Sequence, residues 1–171
     1  MLVKKFERRK IIYEISGKNL NKIGIPLFAF ILGLTPMFVI TAFAEGGATG
    51  ATGYYTVYGK DYANYAFVYA GYYNNVAYAN AGTRVQCDPI TNKVPSGYMG
   101  AKARLYNSSD KLVASTSFVY NSKETNALNS DFASLNPAKA SDAYYSYGIT
   151  AAYNGDGYTQ YYTFKSPAQN P

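Results

Sequence analysis

The sequence predicts an all-β protein, a small antiparallel β-sandwich of about six or seven strands or a small barrel, behind an N-terminal signal peptide. Two observations support this fold class. Beyond residue 44 the chain is rich in Thr, Val, Ala, Ser and above all Tyr, with 19 of its 20 Tyr residues there, and this composition is typical of strands. Apolar and polar residues also alternate within segments that Asn and Gly turns separate, as they do in half-buried strands.

The first 44 residues predict a secretory signal peptide. Seven Lys and Arg side chains precede an uncharged apolar run at residues 23–44, which ends in Ala42-Phe43-Ala44. A positive start, an apolar stretch and a small-x-small ending are the features of a cleaved signal. We therefore expect cleavage after Ala44 and a secreted protein, either extracellular or associated with the cell wall. The alternative is an uncleaved membrane anchor at residues 23–44, because an uncharged, mainly apolar run of 22 residues can span a bilayer.

Most of the excess positive charge belongs to this leader. The whole chain has a net charge of +6, whereas residues 45–171 carry nine basic and eight acidic side chains. A nucleic-acid-binding domain needs a clustered basic surface, so the sequence excludes nucleic acid as a partner. Contact with a membrane is expected only through the leader.

Cys87 is the single Cys of the chain, so no internal disulfide can form. Val85 and Cys87 alternate with Arg84 and Gln86, which predicts that Cys87 is a small buried side chain in a strand. The alternative is a reactive thiol or an intermolecular disulfide. Export without an internal disulfide is more typical of a Gram-positive bacterium than of a eukaryotic secreted protein.

Residues 45–53, with the sequence EGGATGATG, are predicted to form a flexible linker. A Tyr-rich β domain then occupies residues 54–171. It is expected to begin with a short edge strand at residues 54–58. A hairpin follows, with strands at residues 62–73 and 76–87 joined by a turn at Asn74-Asn75.

The segment 98–120 predicts a second hairpin, around the loop Asn107–Asp110. Placing Tyr106 opposite Lys111 sets Leu105 opposite Leu112, and both strands then alternate in the same register. The predicted inner face continues with the pairs Ala103–Ala114, Ala101–Thr116 and Met99–Phe118, and the outer face carries Lys102, Arg104, Ser115 and Ser117.

The segment 122–142 interrupts the β pattern. Leu128, Phe132 and Leu135 follow one another at intervals of four and three residues, which predicts one or two helical turns that end at Asn136-Pro137. We interpret this segment as a crossover between two sheets.

A third hairpin is predicted at residues 144–164, around the turn NGDG at residues 154–157. Cross-strand aromatic pairs stabilise a sheet, so its aromatic residues are expected on the inner face. The predicted pairs are Tyr153–Tyr158, Ile149–Tyr162 and Tyr147–Phe164, and the predicted solvent-facing side carries Ser146, Thr150, Thr159, Tyr161 and Thr163.

No set of residues in the sequence predicts catalysis. The chain has no His, which excludes Ser-His and Cys-His dyads and His-based metal sites. The acidic residues of the β domain fall in predicted loops and turns, where no raised pKa is expected. We therefore expect a protein that is not an enzyme and that uses no metal or cofactor.

Tyrosine is the remaining functional signal. The chain has no Trp, so Tyr must fill much of the core, yet 19 rings in residues 45–171 are more than one small sandwich needs inside. A rigid amphipathic ring is well suited to recognition. The predicted binding surface comprises Tyr54, Tyr55, Tyr58, Tyr62, Tyr65, Tyr72, Tyr144 and Tyr161.

These observations predict a secreted, non-enzymatic module that is associated with the cell surface and contacts envelope glycan or protein through exposed Tyr. The layout of a leader followed by a short Gly- and Tyr-rich β chain also resembles that of small Gram-positive bacteriocins, which implies a toxin-like antibacterial polypeptide as the alternative. A second alternative is self-association into an extracellular matrix or fibre through open sheet edges.

Overall fold

The computed structural model describes residues 47–171, and this range is all-β. The predicted signal peptide and its cleavage site at Ala42 and Ala44 lie outside the described residues. No helix within this range is long and apolar enough to cross a membrane. The strands in chain order are β1 (Gly47–Thr49), β2 (Gly53–Val57), β3 (Lys60–Tyr73), β4 (Val76–Cys87), β5 (Met99–Lys102), β6 (Arg104–Asn107), β7 (Leu112–Ser115), β8 (Val119–Tyr120), β9 (Ala127–Asn129), β10 (Ala133–Leu135), β11 (Tyr144–Ser146), β12 (Ile149–Tyr153) and β13 (Tyr158–Tyr162).

The β3–β4 hairpin is the centre of a six-stranded sheet, which we call the large sheet. The predicted turn is confirmed, since β3 and β4 pair from Tyr62 opposite Cys87 to Tyr73 opposite Val76. The φ angles of Asn74 and Asn75 are 49° and 61°. A two-residue hairpin turn requires this left-handed backbone, and Asn adopts it more readily than most residues.

Short strands extend the large sheet on both sides of this hairpin. On the β3 side, β2 is the predicted edge strand, and β1 also pairs with β3. The predicted linker at residues 45–53 therefore contributes a strand to the sheet within its described part. On the β4 side, β9 and β10 pair with successive parts of β4.

The helical turns predicted at residues 122–142 are wrong, because this segment forms β9 and β10. Leu128 lies opposite Val85 of β4, and Leu135 lies opposite Ala79. The helix-like spacing arises because the two Leu residues belong to separate strands. Phe132, between the two strands, is exposed.

Two smaller sheets, with strand orders β11-β6-β7 and β13-β12-β5-β8, face the large sheet and complete a sandwich-like fold. The strand count exceeds the predicted six or seven for two reasons: β1, β9 and β10 form in segments predicted as linker and crossover, and some of the expected long strands are divided. The strand expected up to residue 106, for example, is interrupted at Ala103, and its two parts, β5 and β6, belong to different sheets.

The hairpin at residues 98–120 is confirmed, but its predicted register is wrong. Leu105 lies opposite Ala114 and Tyr106 opposite Leu112, with a bulge between the two pairs. The loop takes in Lys111, whose backbone N–H donates to Asn107 Oδ1 at 3.0 Å. Leu112 is consequently exposed instead of facing the core.

The hairpin at residues 144–164 has the predicted register in its β12–β13 part, including Tyr153 opposite Tyr158 and Ile149 opposite Tyr162. Its predicted faces are inverted on β13, whereas Ile149 of β12 is buried as predicted. The large side chains of Tyr158, Tyr162 and Phe164 are exposed, whereas Ser146, Thr150 and Thr163 are buried. The Tyr147–Phe164 pair is not part of the ladder, because β12 begins at Ile149 and β13 ends at Tyr162.

The close approach of the two layers explains this inversion. A Cβ on Gly148 would lie 1.8 Å from Thr83 Oγ1 of the large sheet, so large rings cannot enter there. Ala residues supply much of the core from both layers, and the larger buried side chains include Tyr62, Val85, Met99, Leu105 and Tyr144. Cys87 is buried in β4, as predicted.

Candidate functional site

The eight tyrosines predicted to form one binding surface do not lie together. Tyr54, Tyr58 and Tyr72 are exposed, Tyr55, Tyr65 and Tyr161 are partly buried, and Tyr62 and Tyr144 are buried. The sequence predicts exposure for only some members of this set, and Tyr62 and Tyr144 are not exposed, because both rings fill the core. The rings of Tyr55 and Tyr161 stack with their centroids 3.9 Å apart, and this contact packs β2 against β13.

Tyr65 belongs to a coherent surface on the outer side of the large sheet, away from the core. Strand alternation places Phe67 and Tyr69 of β3 on the same side, and neighbouring ring centroids are 6.3 and 5.7 Å apart. The ring of Phe132 packs against those of Phe67 and Tyr69, with ring centroids 6.0 and 6.1 Å apart. We call these four residues the aromatic row.

Glycines on the neighbouring strands allow the rings of this row to lie along the sheet. Gly82 is the cross-strand partner of Phe67, and a Cβ on it would lie 2.2 Å from the Phe67 ring. Gly47 pairs with Tyr69, and a Cβ there would lie 2.9 Å from the Tyr69 ring. Rings that cover glycine backbone in this way are a known device for stabilising sheets, and here they are held in place without a ligand.

A cavity of about 390 Å³ lies on the same outer face, towards the Asn74-Asn75 turn. We call it the end pocket. It is lined by Tyr73, Tyr78, Asn80, Ser134 and Asn136. Asn80 is the cross-strand partner of both Tyr69 and Ser134, so the end pocket adjoins the aromatic row directly.

A hydrogen-bonded cation lies near the other end of the row. Arg84 is the cross-strand partner of Tyr65. Its Nε donates to Gln86 Oε1 at 3.1 Å, and its Nη1 donates to Asn129 Oδ1 at 3.4 Å. The outer face of the large sheet thus runs from this cation, along the aromatic row, to a pocket of uncharged polar groups.

The two smaller sheets carry a second group of aromatic residues, but these rings mainly contact the protein itself. The Arg104 guanidinium lies 5.0 to 5.3 Å from the ring centroids of Tyr106, Tyr147 and Tyr162, a range in which cation–π attraction is significant. The ring of Tyr120 covers Gly100. This face uses its rings to hold a cation and to cover backbone.

Hydrogen bonds lower the pKa of two carboxyl groups outside these surfaces, those of Asp110 and Asp142. Asp110 accepts hydrogen bonds from the Tyr145 hydroxyl at 2.5 Å and from Lys165 Nζ at 3.2 Å, and these contacts lower the pKa of its carboxyl group. The Ser108 hydroxyl likewise lowers the pKa of Asp142. A general acid needs a raised pKa. Within residues 47–171, no group of three or more His, Cys, Asp or Glu side chains could hold a metal ion.

A smaller cavity, of about 260 Å³, lies at the other end of the β3–β4 hairpin and is lined in part by Lys60, Cys87 and Lys93. Burial raises the pKa of the Cys87 thiol above its ordinary value. The thiol is therefore protonated at neutral pH, which is the unreactive form.

The prediction from sequence missed most of the residues on the outer face, namely Phe67, Tyr69, Tyr73, Tyr78, Asn80, Phe132, Ser134 and Asn136. One pattern in the sequence indicates part of this face. In the sequence of β3, the aromatic residues at positions 65, 67, 69 and 73 share one parity, so they must share one face of a strand. Phe132 and Ser134 lie on the outer face because β10 pairs with β4, and no local sequence pattern indicates this pairing.

Comparison of the chain with protein family models, with curated proteins and with solved structures finds no match in any of the three.

Proposed function

We propose that the chain is an exported, non-enzymatic binding module that contacts cell-envelope glycan through the outer face of its large sheet. The observation that supports this most is the continuity of the aromatic row with the end pocket through the Tyr69–Asn80–Ser134 ladder. Stacking surface and hydrogen-bonding groups are thereby combined on one side of one sheet.

The chemistry of this face suits a sugar polymer. The C–H faces of a pyranose ring are apolar and pack on aromatic rings, while its hydroxyl groups require hydrogen-bond partners. Aromatic rings held in place by packing lose little conformational entropy on binding. Asn and Ser side chains offer both donors and acceptors. Repeated weak contacts along a polymer add up to useful retention.

The same face is less suited to the other partners considered. Protein interfaces typically have an apolar, close-packed centre, whereas here a pocket with polar lining adjoins one end of the aromatic row and Arg84 lies near the other end. Residues 45–171 carry nearly balanced charge, so a purely electrostatic attachment to anionic envelope polymers would be weak. Stacking predicts binding that persists when salt is raised, since salt screens charges and leaves apolar contacts intact.

The test is co-sedimentation with purified Gram-positive cell walls over a series of salt concentrations. The full coding sequence is expressed in a Gram-positive host, and the released protein is purified and its mass determined. A mass that begins at Glu45 supports cleavage after Ala44 and export. A mass that includes residues 1–44, or retention in the membrane fraction, contradicts the export part of the proposal.

Variants then connect wall binding with the outer face. Replacing Tyr65 and Tyr69 together by Ser removes two rings of the row and is expected to weaken wall binding by about fivefold to 150-fold, since aromatic contacts contribute about 0.5–1.5 kcal/mol each. Tyr72→Ser is the control, because Tyr72 is a Tyr of the same strand but is exposed and points to the opposite side of β3. Circular dichroism confirms folding of each variant.

Three results would contradict the proposal. A folded protein that does not sediment with walls contradicts glycan binding. Sedimentation without walls, in proportion to protein concentration, favours self-association instead. Inhibition of bacterial growth by the purified protein, without saturable wall binding, favours an antibacterial polypeptide.

A further inference from the structure

We propose that the end pocket is a recognition subsite for an uncharged sugar ring, and that it determines which glycan the aromatic row retains. This inference rests on the function proposed above and makes it specific. It assigns recognition to the pocket formed by Tyr73, Tyr78, Asn80, Ser134 and Asn136, and general stacking to the row.

The pocket has one fixed and one free aromatic wall. Tyr78 is largely buried, whereas the side chain of Tyr73 has a relative exposure of 67%. Gly71 is the cross-strand partner of Tyr78 and has no side chain to fill the space beside the Tyr78 ring. A planar ligand can therefore pack against the fixed ring of Tyr78 while the exposed ring of Tyr73 adjusts to it.

The polar groups of the pocket are free to bind a ligand. Among residues 47–171, the side chains of Asn80, Ser134 and Asn136 form no hydrogen bond with another protein group, and the same holds for Asn74, Asn75 and Asn92, whereas the buried side chains of Asn64 and Asn121 do form such bonds. Two amides and a hydroxyl supply donors and acceptors for the hydroxyl or acetamido groups of a sugar.

The charge of the lining restricts the ligand class. No Lys, Arg, Asp or Glu lines the pocket. Arg84 lies four residues from Asn80 along β4, a distance of about 13 Å for extended backbone. A carboxylate or phosphate in the pocket would lose hydration without gaining a counter-charge, which is unfavourable. An uncharged saccharide avoids this cost.

The volume of the pocket agrees with a small ligand. About 390 Å³ lies near the lower end of the roughly 300–1,000 Å³ that ligand pockets occupy, which suits one or two sugar rings. The Tyr69–Asn80 pair marks where the pocket meets the row. A longer glycan bound in the pocket would continue over Tyr69 and Phe67.

The experiment measures which saccharides bind the pocket directly. The purified protein, labelled with nitrogen-15, is titrated with three probes: N,N′-diacetylchitobiose, cellobiose and digalacturonate. The expected result is a saturable shift of the side-chain amide signals of Asn80 and Asn136 with at least one uncharged probe, and at least tenfold weaker binding of digalacturonate.

Variants separate the pocket from the rest of the face. Ser134→Ala and Asn80→Ala each remove a polar group and are expected to weaken binding of the uncharged probe by about threefold to tenfold, the range for one or two neutral hydrogen bonds. Because Ser134 is exposed, Ser134→Ala does not threaten folding. Tyr73→Ser is expected to weaken binding similarly, whereas Tyr72→Ser, adjacent in sequence and on the opposite side of β3, is expected to leave it unchanged.

The failures of the two proposals are distinguishable. If walls retain the protein through the aromatic row but no uncharged probe shifts the pocket amides, or digalacturonate binds as tightly, the subsite proposal is overturned and the binding function stands. If an uncharged probe binds in the pocket but walls do not retain the protein, the subsite stands and the envelope as its target is overturned.

Discussion

The ring of Phe67 lies on Gly82, its cross-strand partner in the β3–β4 ladder. A Cβ at residue 82 would come within 2.2 Å of that ring, which is closer than two carbon atoms in non-bonded contact can lie. Gly82→Ala is therefore expected to displace Phe67 from the aromatic row. We expect a loss of about 1–3 kcal/mol in the free energy of unfolding, as for other overpacked sites, and weaker wall binding. Denaturant titration and co-sedimentation measure the two effects.

Gly157→Ala is the control for this prediction, because a Cβ at residue 157 meets nothing within 4 Å. Its free energy of unfolding should remain close to that of the natural chain. If Gly82→Ala is equally harmless, the ring does not depend on the glycine beneath it.

The difference between the predicted and observed structures follows the range of the interactions involved. The Asn74-Asn75 turn and the pairing of Tyr153 with Tyr158 depend on local turn chemistry, and both predictions are confirmed. Which face of a hairpin is buried depends on the sheet opposite. The contact of Gly148 with Thr83 joins positions far apart in sequence, so alternation alone placed the rings of residues 158–164 on the wrong side.

Asn121 fixes the loop that precedes β5. Its side-chain Nδ2 donates to the backbone carbonyls of Pro95 and Lys123 at 2.7 and 2.9 Å, and its Oδ1 accepts from the Met99 backbone N–H at 2.9 Å. Asn121 and Met99 are both buried, so Asn121→Ala leaves the buried backbone N–H of Met99 without this partner. We expect a loss of about 1–3 kcal/mol in the free energy of unfolding.

Asn126→Ala is the comparison for Asn121→Ala, since Asn126 makes one exposed side-chain hydrogen bond, to the Ile90 carbonyl at 2.9 Å. The loss in the free energy of unfolding for Asn126→Ala should not exceed about 1 kcal/mol. Equal losses for the two variants, measured by urea denaturation, would contradict the structural role assigned to Asn121.

The buried phenol of Tyr62 makes stability sensitive to alkaline pH. Burial raises the pKa of Tyr62 from 10.0 to about 12, with a smaller contribution from Cys87, and burial also raises the pKa of Tyr55. The folded chain thus holds these protons more tightly than the unfolded chain. The resulting stabilisation is complete below pH 10 and is lost as pH rises through the folded-state pKa.

Tyr62→Phe tests this relationship by removing the hydroxyl and keeping the ring. The Tyr62 hydroxyl has no hydrogen-bond partner within residues 47–171, so we expect no loss of stability at neutral pH. Thermal unfolding is measured between pH 9 and pH 12. The unfolding temperature should fall less steeply with pH for Tyr62→Phe than for the natural chain. Tyr54→Phe, at an exposed position, is the control and should show the same fall in unfolding temperature with pH as the natural chain. The same fall for Tyr62→Phe would contradict the prediction.

Cys87 is expected to behave as a core residue. Its relative exposure is 2%, and burial raises the pKa of its thiol, so both access and ionisation oppose reaction. A thiol reagent at neutral pH should label the folded protein at least tenfold more slowly than the protein in guanidinium chloride. Rapid labelling of the folded protein, or a covalent dimer on non-reducing electrophoresis, would favour the reactive thiol or intermolecular disulfide considered from the sequence.

Thr150 joins the two layers through a buried polar contact. Its Oγ1 accepts a hydrogen bond from Asn64 Nδ2 at 2.8 Å and lies 3.0 Å from the Tyr55 hydroxyl. Thr150→Val keeps the shape of the side chain but removes the partner of the Tyr55 hydroxyl and leaves the Asn64 amide unpaired, so we expect a loss of about 1–3 kcal/mol in the free energy of unfolding. Adding Asn64→Leu removes the unpaired group, and the double variant should be at least about 0.5 kcal/mol more stable than the sum of the single losses predicts. Additive losses in urea denaturation would show that the two side chains are not coupled.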